Sequence, residues 1–239
     1  MKPLFPAAVL TLATCACASA ELSEDAVARG RTLFESGALS ASSRNLFRCS
    51  TCHDAGAQSG LAKPGASMAG VTLRPSFWGG EQNDLLHAID ACRTTFMYAA
   101  APLRPGERDA DALYDYLASL APTYPDPVPF TVVDTIAGVE RGDAERGKSA
   151  FSASCAPCHG ALHSGENRLS ESIPILPEDT LAEHPAPSYS PRVQRLVFIE
   201  KTRHGVFFGY GGDMPPFSLE VLPDAALADV LEALGVTGS

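Results

Sequence analysis

One pentapeptide pattern, Cys-x-x-Cys-His, occurs twice in this chain of 239 residues: as "CSTCH" from Cys49 to His53, and as "CAPCH" from Cys155 to His159. The spacing suits covalent haem. Two cysteines three apart can reach the two vinyl groups of one porphyrin as thioethers, and the histidine that follows then falls under the iron as proximal ligand. Cys49, Cys52, Cys155 and Cys158 are thus the expected attachment points, and His53 and His159 the expected iron ligands. Other chemistries compete. A redox Cys-x-x-Cys of thioredoxin type sits in a βαβ setting, and none is visible. A structural zinc needs four ligands, usually from paired knuckles. The two motifs lie 106 residues apart, although both could converge on one ion. Two disulfides would leave the histidines unexplained.

Residues 1–20 read as an export signal. Lys2 supplies a positive start, Phe5 to Leu12 an apolar run too short to span a bilayer, and Ala18-Ser19-Ala20 a small-x-small cleavage site. A lipoprotein signal at Cys15 is the weaker alternative, because Thr14 is a poor residue before a lipidated cysteine. Cleavage removes Cys15 and Cys17 and leaves five cysteines: the two motif pairs and Cys92. No other stretch is long and apolar enough for a membrane helix, so the expected mature protein is periplasmic and not membrane-spanning. The formal net charge of -10 disfavours nucleic acid and anionic lipid and would suit a basic partner. The oligomeric state is not legible.

Four prolines within Ala121–Phe130 mark an extended linker, assigned to residues 122–135, between units at 21–121 and 136–239. The units repeat an order of features. Each opens on a helix in which an Arg-Gly pair precedes a phenylalanine: Gly30 with Phe34, and Gly147 with Phe151. Ser23 is the expected cap of the first. A glycine inside a helix costs about 1 kcal/mol relative to alanine, and close approach of another helix is the obvious reason to keep one. Each unit closes on an amphipathic helix. Leu113, Tyr116, Leu117 and Leu120 share one face, and Leu227, Val230, Leu231 and Leu234 another. Between motif and closing helix the reading is mostly irregular loop, with no convincing alternating strand. The expected fold is all-α.

The distal iron ligand sets potential and reactivity. For the second motif the expected ligand is Met214, in the Gly/Pro-rich "GYGGDMPPF". His204 and His163 are weaker choices. For the first, "LLHAIDACRTTFMYAAAPL" offers His87, Cys92 and Met97, with Met68 in a nearby loop. Met97 precedes the closing helix as Met214 does. Cys92 is the odd thiol, either a small core residue or a ligand. The two are five residues apart, roughly 140° around a continuous helix, so at most one is expected to face the iron. Arg74 and Trp78 could donate to haem propionates.

With these residues in view, the chain resembles the c-type cytochromes in tandem dihaem form. The second half is similar to the class I pattern from Gly147 to its last helix, and the first half at its opening helix, motif and closing helix. The resemblance implies two class I cytochrome c-like domains, two covalently attached haem c groups, crossed first and last helices, one-electron transfer and redox protein partners. The stretch Ala88-Ile89-Asp90-Ala91-Cys92, followed by Met97, also resembles a segment of dihaem thiosulfate dehydrogenases, in which the cysteine is the distal ligand of the active-site haem. It departs by having Asp90 where that family tends to have Asn. The expected function is electron carriage, with no catalytic residue assigned. The alternative is a thiosulfate dehydrogenase-like oxidoreductase with Cys92 on the first haem.

Overall fold

The computed structural model describes residues 22–56, 62–120, 130–206 and 214–238. The expected leader, most of the proline-rich stretch and the glycines preceding Met214 lie outside the described residues. Within them the chain is helical. In order run α1 (Glu24–Glu35), α2 (Cys49–Cys52), α3 (Leu85–Met97), α4 (Arg108–Ser119), α5 (Ala144–Ser154), α6 (Ala156–His159), α7 (Glu178–Glu183), α8 (Pro191–His204) and α9 (Asp224–Ala233). Among the described residues no β-strand forms, and the only pairings are the isolated bridges Asp54–Ser67 and Phe77–Gln82.

The amphipathic patterns account for two apolar clusters. Leu33 and Phe34 of α1 meet Leu113, Tyr116 and Leu117 of α4. Phe151 of α5 meets Leu227, Val230 and Leu231 of α9, with Leu234 just beyond. Burying side chains of this size stabilises by about 1.5–3 kcal/mol each relative to exposure. The helix glycines lie at these contacts. A Cβ on Gly30 would stand 2.0 Å from the carbonyl oxygen of Ala112, and one on Gly147 the same 2.0 Å from that of Asp229. Each opening helix therefore touches its closing helix backbone to backbone, which no larger residue permits.

The arginine before each glycine also has a role that the pattern did not disclose. Arg29 Nε donates to Asp109 of α4 at 2.7 Å. Arg146 makes a two-pronged contact with Asp229 of α9, both bonds 2.8 Å. Each helix pair is thus pinned by a glycine contact and an Arg–Asp pair one residue away.

Two expectations need correction. The stretches between motif and closing helix are not mainly loops: they hold α3 in the first half and α7 and α8 in the second. Their apolar residues are interrupted by arginines that turn out to be buried, which hid the helical period. Arg93 on α3 and Arg203 on α8 are 8% and 1% exposed. Ser23 occupies the N-cap of α1, but its side chain makes no capping bond.

Candidate functional site

Each motif forms one short helical turn. The amide of His53 bonds the carbonyl of Cys49, and that of His159 bonds the carbonyl of Cys155, both at 2.9 Å. On such a turn residues i, i+3 and i+4 share a face, so each motif presents two thiols and an imidazole on one side. The following loop locks each turn in the same way. The Cys52 carbonyl accepts from the amide of Gly65 at 2.8 Å, and the Cys158 carbonyl from that of Leu169 at 2.9 Å. In the first half Lys63 adds a clamp, donating to the carbonyl of Ser50 at 2.9 Å and pairing with Asp54 at 3.0 Å. In the second, Gly160 takes a positive φ of 70° where a Cβ would strike the carbonyl of Glu166.

The two imidazoles are oriented alike. Nδ1 of His53 lies 3.2 Å from the carbonyl oxygen of Ala66, and Nδ1 of His159 lies 2.9 Å from that of Pro174. A carbonyl can only accept, so Nδ1 carries the proton in both rings and Nε2 keeps its lone pair, as an iron ligand must. Surrounding protein keeps both rings neutral. Burial pushes the pKa of His53 down to about 4, against the smaller opposing pull of the Ala66 and Gly65 backbone bonds. Burial also lowers that of His159, again partly offset by its backbone bond. Gly65 has no side chain because the His53 ring occupies that space: a Cβ there would lie 2.2 Å from Cε1.

The first motif opens on a cavity of about 440 Å³. Cys49, Cys52 and His53 line one side, and Ala88, Ile89, Cys92, Arg93, Phe96 and Met97 of α3 line another. This stripe is broad enough that Cys92 and Met97 both border the cavity although α3 runs unbroken through them. Bordering the cavity does not choose between them as ligand. Met68 also borders the cavity. His87 does not: it is exposed on the outer face of α3 beside Asp84, which removes it as a ligand.

α3 is held at this wall by a polar network. Arg93 donates through Nε and Nη2 to the carbonyl of Leu39, at 3.0 and 2.8 Å, and through Nη1 to Asp90 at 2.5 Å. Asp90 in turn accepts from the amide of Leu103. The Ser40 hydroxyl donates to the carbonyl of Met97 at 2.6 Å. The long loop before the first motif thus serves as the brace of the distal helix. Asp90 thus sets a carboxylate opposite the Arg93 guanidinium. The signal available in the sequence was a lone arginine beside Cys92 on an otherwise apolar face.

Of the two expected propionate donors, the structure separates one from the other. Trp78 gives its indole N–H to the carbonyl of Ala88 at 3.0 Å and stacks on Phe96, so it is a wall of the cavity. Arg74 is held by Nη2 against the carbonyls of Ser67 and Ala69. Arg74 borders the same cavity, but its Nε is enclosed by protein and has no partner among the described residues. A buried unpaired donor costs about 1–3 kcal/mol, and the guanidinium as a whole sets a positive charge beside the cavity. The space, the paired thiols, the neutral imidazole and the guanidinium at the cavity's edge together fit a haem with its carboxylates.

In the second half Met214 packs with Cys155, Leu162 and Leu176 against the second apolar cluster. Its carbonyl accepts from the amide of Val206 at 3.0 Å, which ties the methionine to the end of α8. The structure therefore places Met214 in the same core as the second motif. His204 pairs with Glu200 at 2.7 Å, and His163 pairs with Glu178 at 2.8 Å.

The five cysteines Cys49, Cys52, Cys92, Cys155 and Cys158 are all free thiols. Burial pushes the thiols of Cys49 and Cys52 up to about 11 and about 12, and Cys92 higher still. Such thiols are protonated and poorly suited to redox exchange, which goes through the thiolate. Among the described residues no three His, Cys, Asp or Glu side chains gather as a zinc site would require. The two motifs are near each other, since Cys158 contributes to the upward shift at Cys52.

Comparison with known proteins agrees with this site. Residues 142–232, from just before α5 into α9, match the family model described as cytochrome c oxidase, cbb3-type, subunit III. The match holds the whole second motif and supports a c-type cytochrome, with covalently bound haem c and haem-based electron transfer. No curated protein matches the chain. No described helix is long and apolar enough to cross a membrane.

Proposed function

We propose that the chain is an exported, periplasmic dihaem c-type cytochrome: two class I cytochrome c-like units, joined by the proline-rich segment, that pass one electron at a time between redox protein partners. The observation that carries the second haem is the likeness of the first motif to the matched one. Both are single turns with the same backbone lock and the same Nδ1-to-carbonyl bond. Haem c, when bound, supplies a one-electron iron couple. The protein's part is attachment through Cys49, Cys52, Cys155 and Cys158, ligation by His53 and His159, and choice of the distal group. Met214 serves the second haem, and its thioether raises the potential. Arg74 pairs with a propionate of the first.

Mass spectrometry of the intact protein and of its peptides tests this. The expected result is two haem masses, one on each motif peptide. A single haem confined to Cys155–His159 would refute the dihaem reading.

A second reading is favoured by one observation: half-buried Cys92 borders the same cavity as Cys49, Cys52 and His53. As the distal ligand it would make the first haem an active site of thiosulfate dehydrogenase type, with the second haem exporting the electrons. The ferric EPR spectrum separates the readings, because thiolate ligation has its own low-spin signature. Only His/Met signals, together with no reduction by thiosulfate, leave the carrier with Met97 on the first haem. A Cys92→Met variant that keeps electron transfer but loses thiosulfate turnover would establish the enzyme.

A further inference from the structure

The cavity of the first motif is not walled by the first half alone. Phe130, at the end of the proline-rich stretch, and Pro215 and Pro216, of the second half, also line it. Each is held from the second half. Thr131, next to Phe130, bonds the Glu220 carboxylate through its amide at 2.7 Å and its hydroxyl at 2.5 Å. Its carbonyl accepts from the amide of Leu219. Pro215 and Pro216 lie between two anchors on the end of α8, the Val206–Met214 bond at 3.0 Å and the Phe217–Thr202 bond at 2.8 Å. Two prolines with fixed φ between two pinned residues leave this segment little freedom. Gly205 is part of the same fit: its φ is 52°, and a Cβ there would lie 2.4 Å from the carbonyl of Met214.

Further contacts surround this junction. The amide of Ala62 bonds the carbonyl of Ala153 on α5, two residues before Cys155, at 2.9 Å. Val132 stands against Gly79, another lining residue of the cavity. Met214, immediately before the prolines, packs in the cluster that holds Cys155.

We propose that Met214–Pro216 is one positioning element shared by both haem sites: Met214 serves the second haem, while Pro215 and Pro216, with Phe130, form the second half's wall over the first. The proposal rests on the two-haem reading above. Its consequence follows from the chemistry of the couple. Ferric haem carries one more positive charge than ferrous, and excluding water disfavours the more charged form, so an apolar wall raises the potential. The second half then tunes the first haem as well as exchanging electrons with it. It also limits which small molecules reach that iron.

The test uses the full-length, haem-loaded protein and two variants on different segments, Pro215→Ala/Pro216→Ala and Phe130→Ala. A potentiometric titration followed in the visible spectrum reads both haems. The rate of imidazole binding to the ferric protein reads access to the first iron. In both variants the first-haem potential is expected to fall and imidazole to bind it several-fold faster. The second haem keeps its His/Met spectrum, because the anchors at Met214 and Phe217 are backbone bonds. If the double variant does not fold, Phe130→Ala alone reads the wall. Unchanged potential and unchanged imidazole rate overturn the shared wall while two haem masses keep the dihaem reading intact. Haem on the second motif alone overturns both.

Discussion

At the contact of α1 with α4, Gly30 lies under Ala112 and Tyr116; at the contact of α5 with α9, Gly147 lies under Asp229 and Ala233. An arginine one residue earlier reaches an aspartate on the closing helix in both. The motif turn, its backbone lock and the histidine acceptor repeat as well. The distal sides share almost nothing. The first half turns the cavity face of a continuous helix to its motif, braced by Arg93 and a long loop. The second half brings up Met214 on a segment tied to the end of α8. The contrast teaches where the constraint lies. Holding a Cys-x-x-Cys-His turn against a helix pair has a narrow solution, because backbones must touch and one imidazole nitrogen must be protonated. On the proposed two-haem reading, the group opposite each iron only has to arrive, and either a helix or a loop can deliver it.

The comparison is most forcefully broken through the two cores. Leu113 and Leu231 are each 1% exposed, one in each cluster. Leu113→Ala and Leu231→Ala should each cost about 2–5 kcal/mol. If the halves are separate units, denaturant unfolding followed by haem absorbance will show each variant moving one transition and sparing the other. A single transition moved equally by both would make the two clusters one cooperative core.

Gly30→Ala and Gly147→Ala come next. Each added methyl meets a backbone oxygen at 2.0 Å, so the helices must separate, at about 1–3 kcal/mol or somewhat more. Similar losses in the two variants, measured as shifts in denaturant midpoint, sharpen the likeness. A harmless Gly30→Ala would mean that the first pair is held differently from the second.

The smallest effect separates the two Arg–Asp pairs. The side chain of Asp229 is 11% exposed and also accepts from the amide of Asp143, whereas that of Asp109 is 41% exposed. Exposed ion pairs contribute little, so Asp229→Asn should weaken its half more than Asp109→Asn weakens the other. The Arg146 hydrogen bond, helped by the Asp143 amide, holds the Asp229 carboxyl below the usual carboxylate range. Its contribution is therefore complete above about pH 4, and is lost as pH falls through the lowered folded value. In acid titrations of stability, the difference between wild type and Asp229→Asn should vanish at low pH.

Much of this was legible in the residues. The twin motifs, the glycine contacts and the closing faces Leu113–Leu117 and Leu227–Leu234 follow from local spacing. Helices α3 and α8 were harder to read, because buried Arg93, Arg195 and Arg203 interrupt their apolar periods and find most of their partners on distant segments. Trp78 looked like a propionate donor until its indole met the carbonyl of Ala88. His87 looked like a ligand until α3 turned it outward.

The sequence by itself determined the chemistry that each motif can do. A thiol, a second thiol three residues on and an imidazole at the next position share one face of a single turn, wherever that turn is placed. It also determined which helices pair, through glycines that admit no side chain. Only the tertiary structure decided what closes over each motif. It brought Cys92 and Met97 to one cavity, set Arg74 at its edge, and carried Pro215 and Pro216 into the wall of a site more than a hundred residues upstream. Those contacts join segments with no common period, and packing alone selects them.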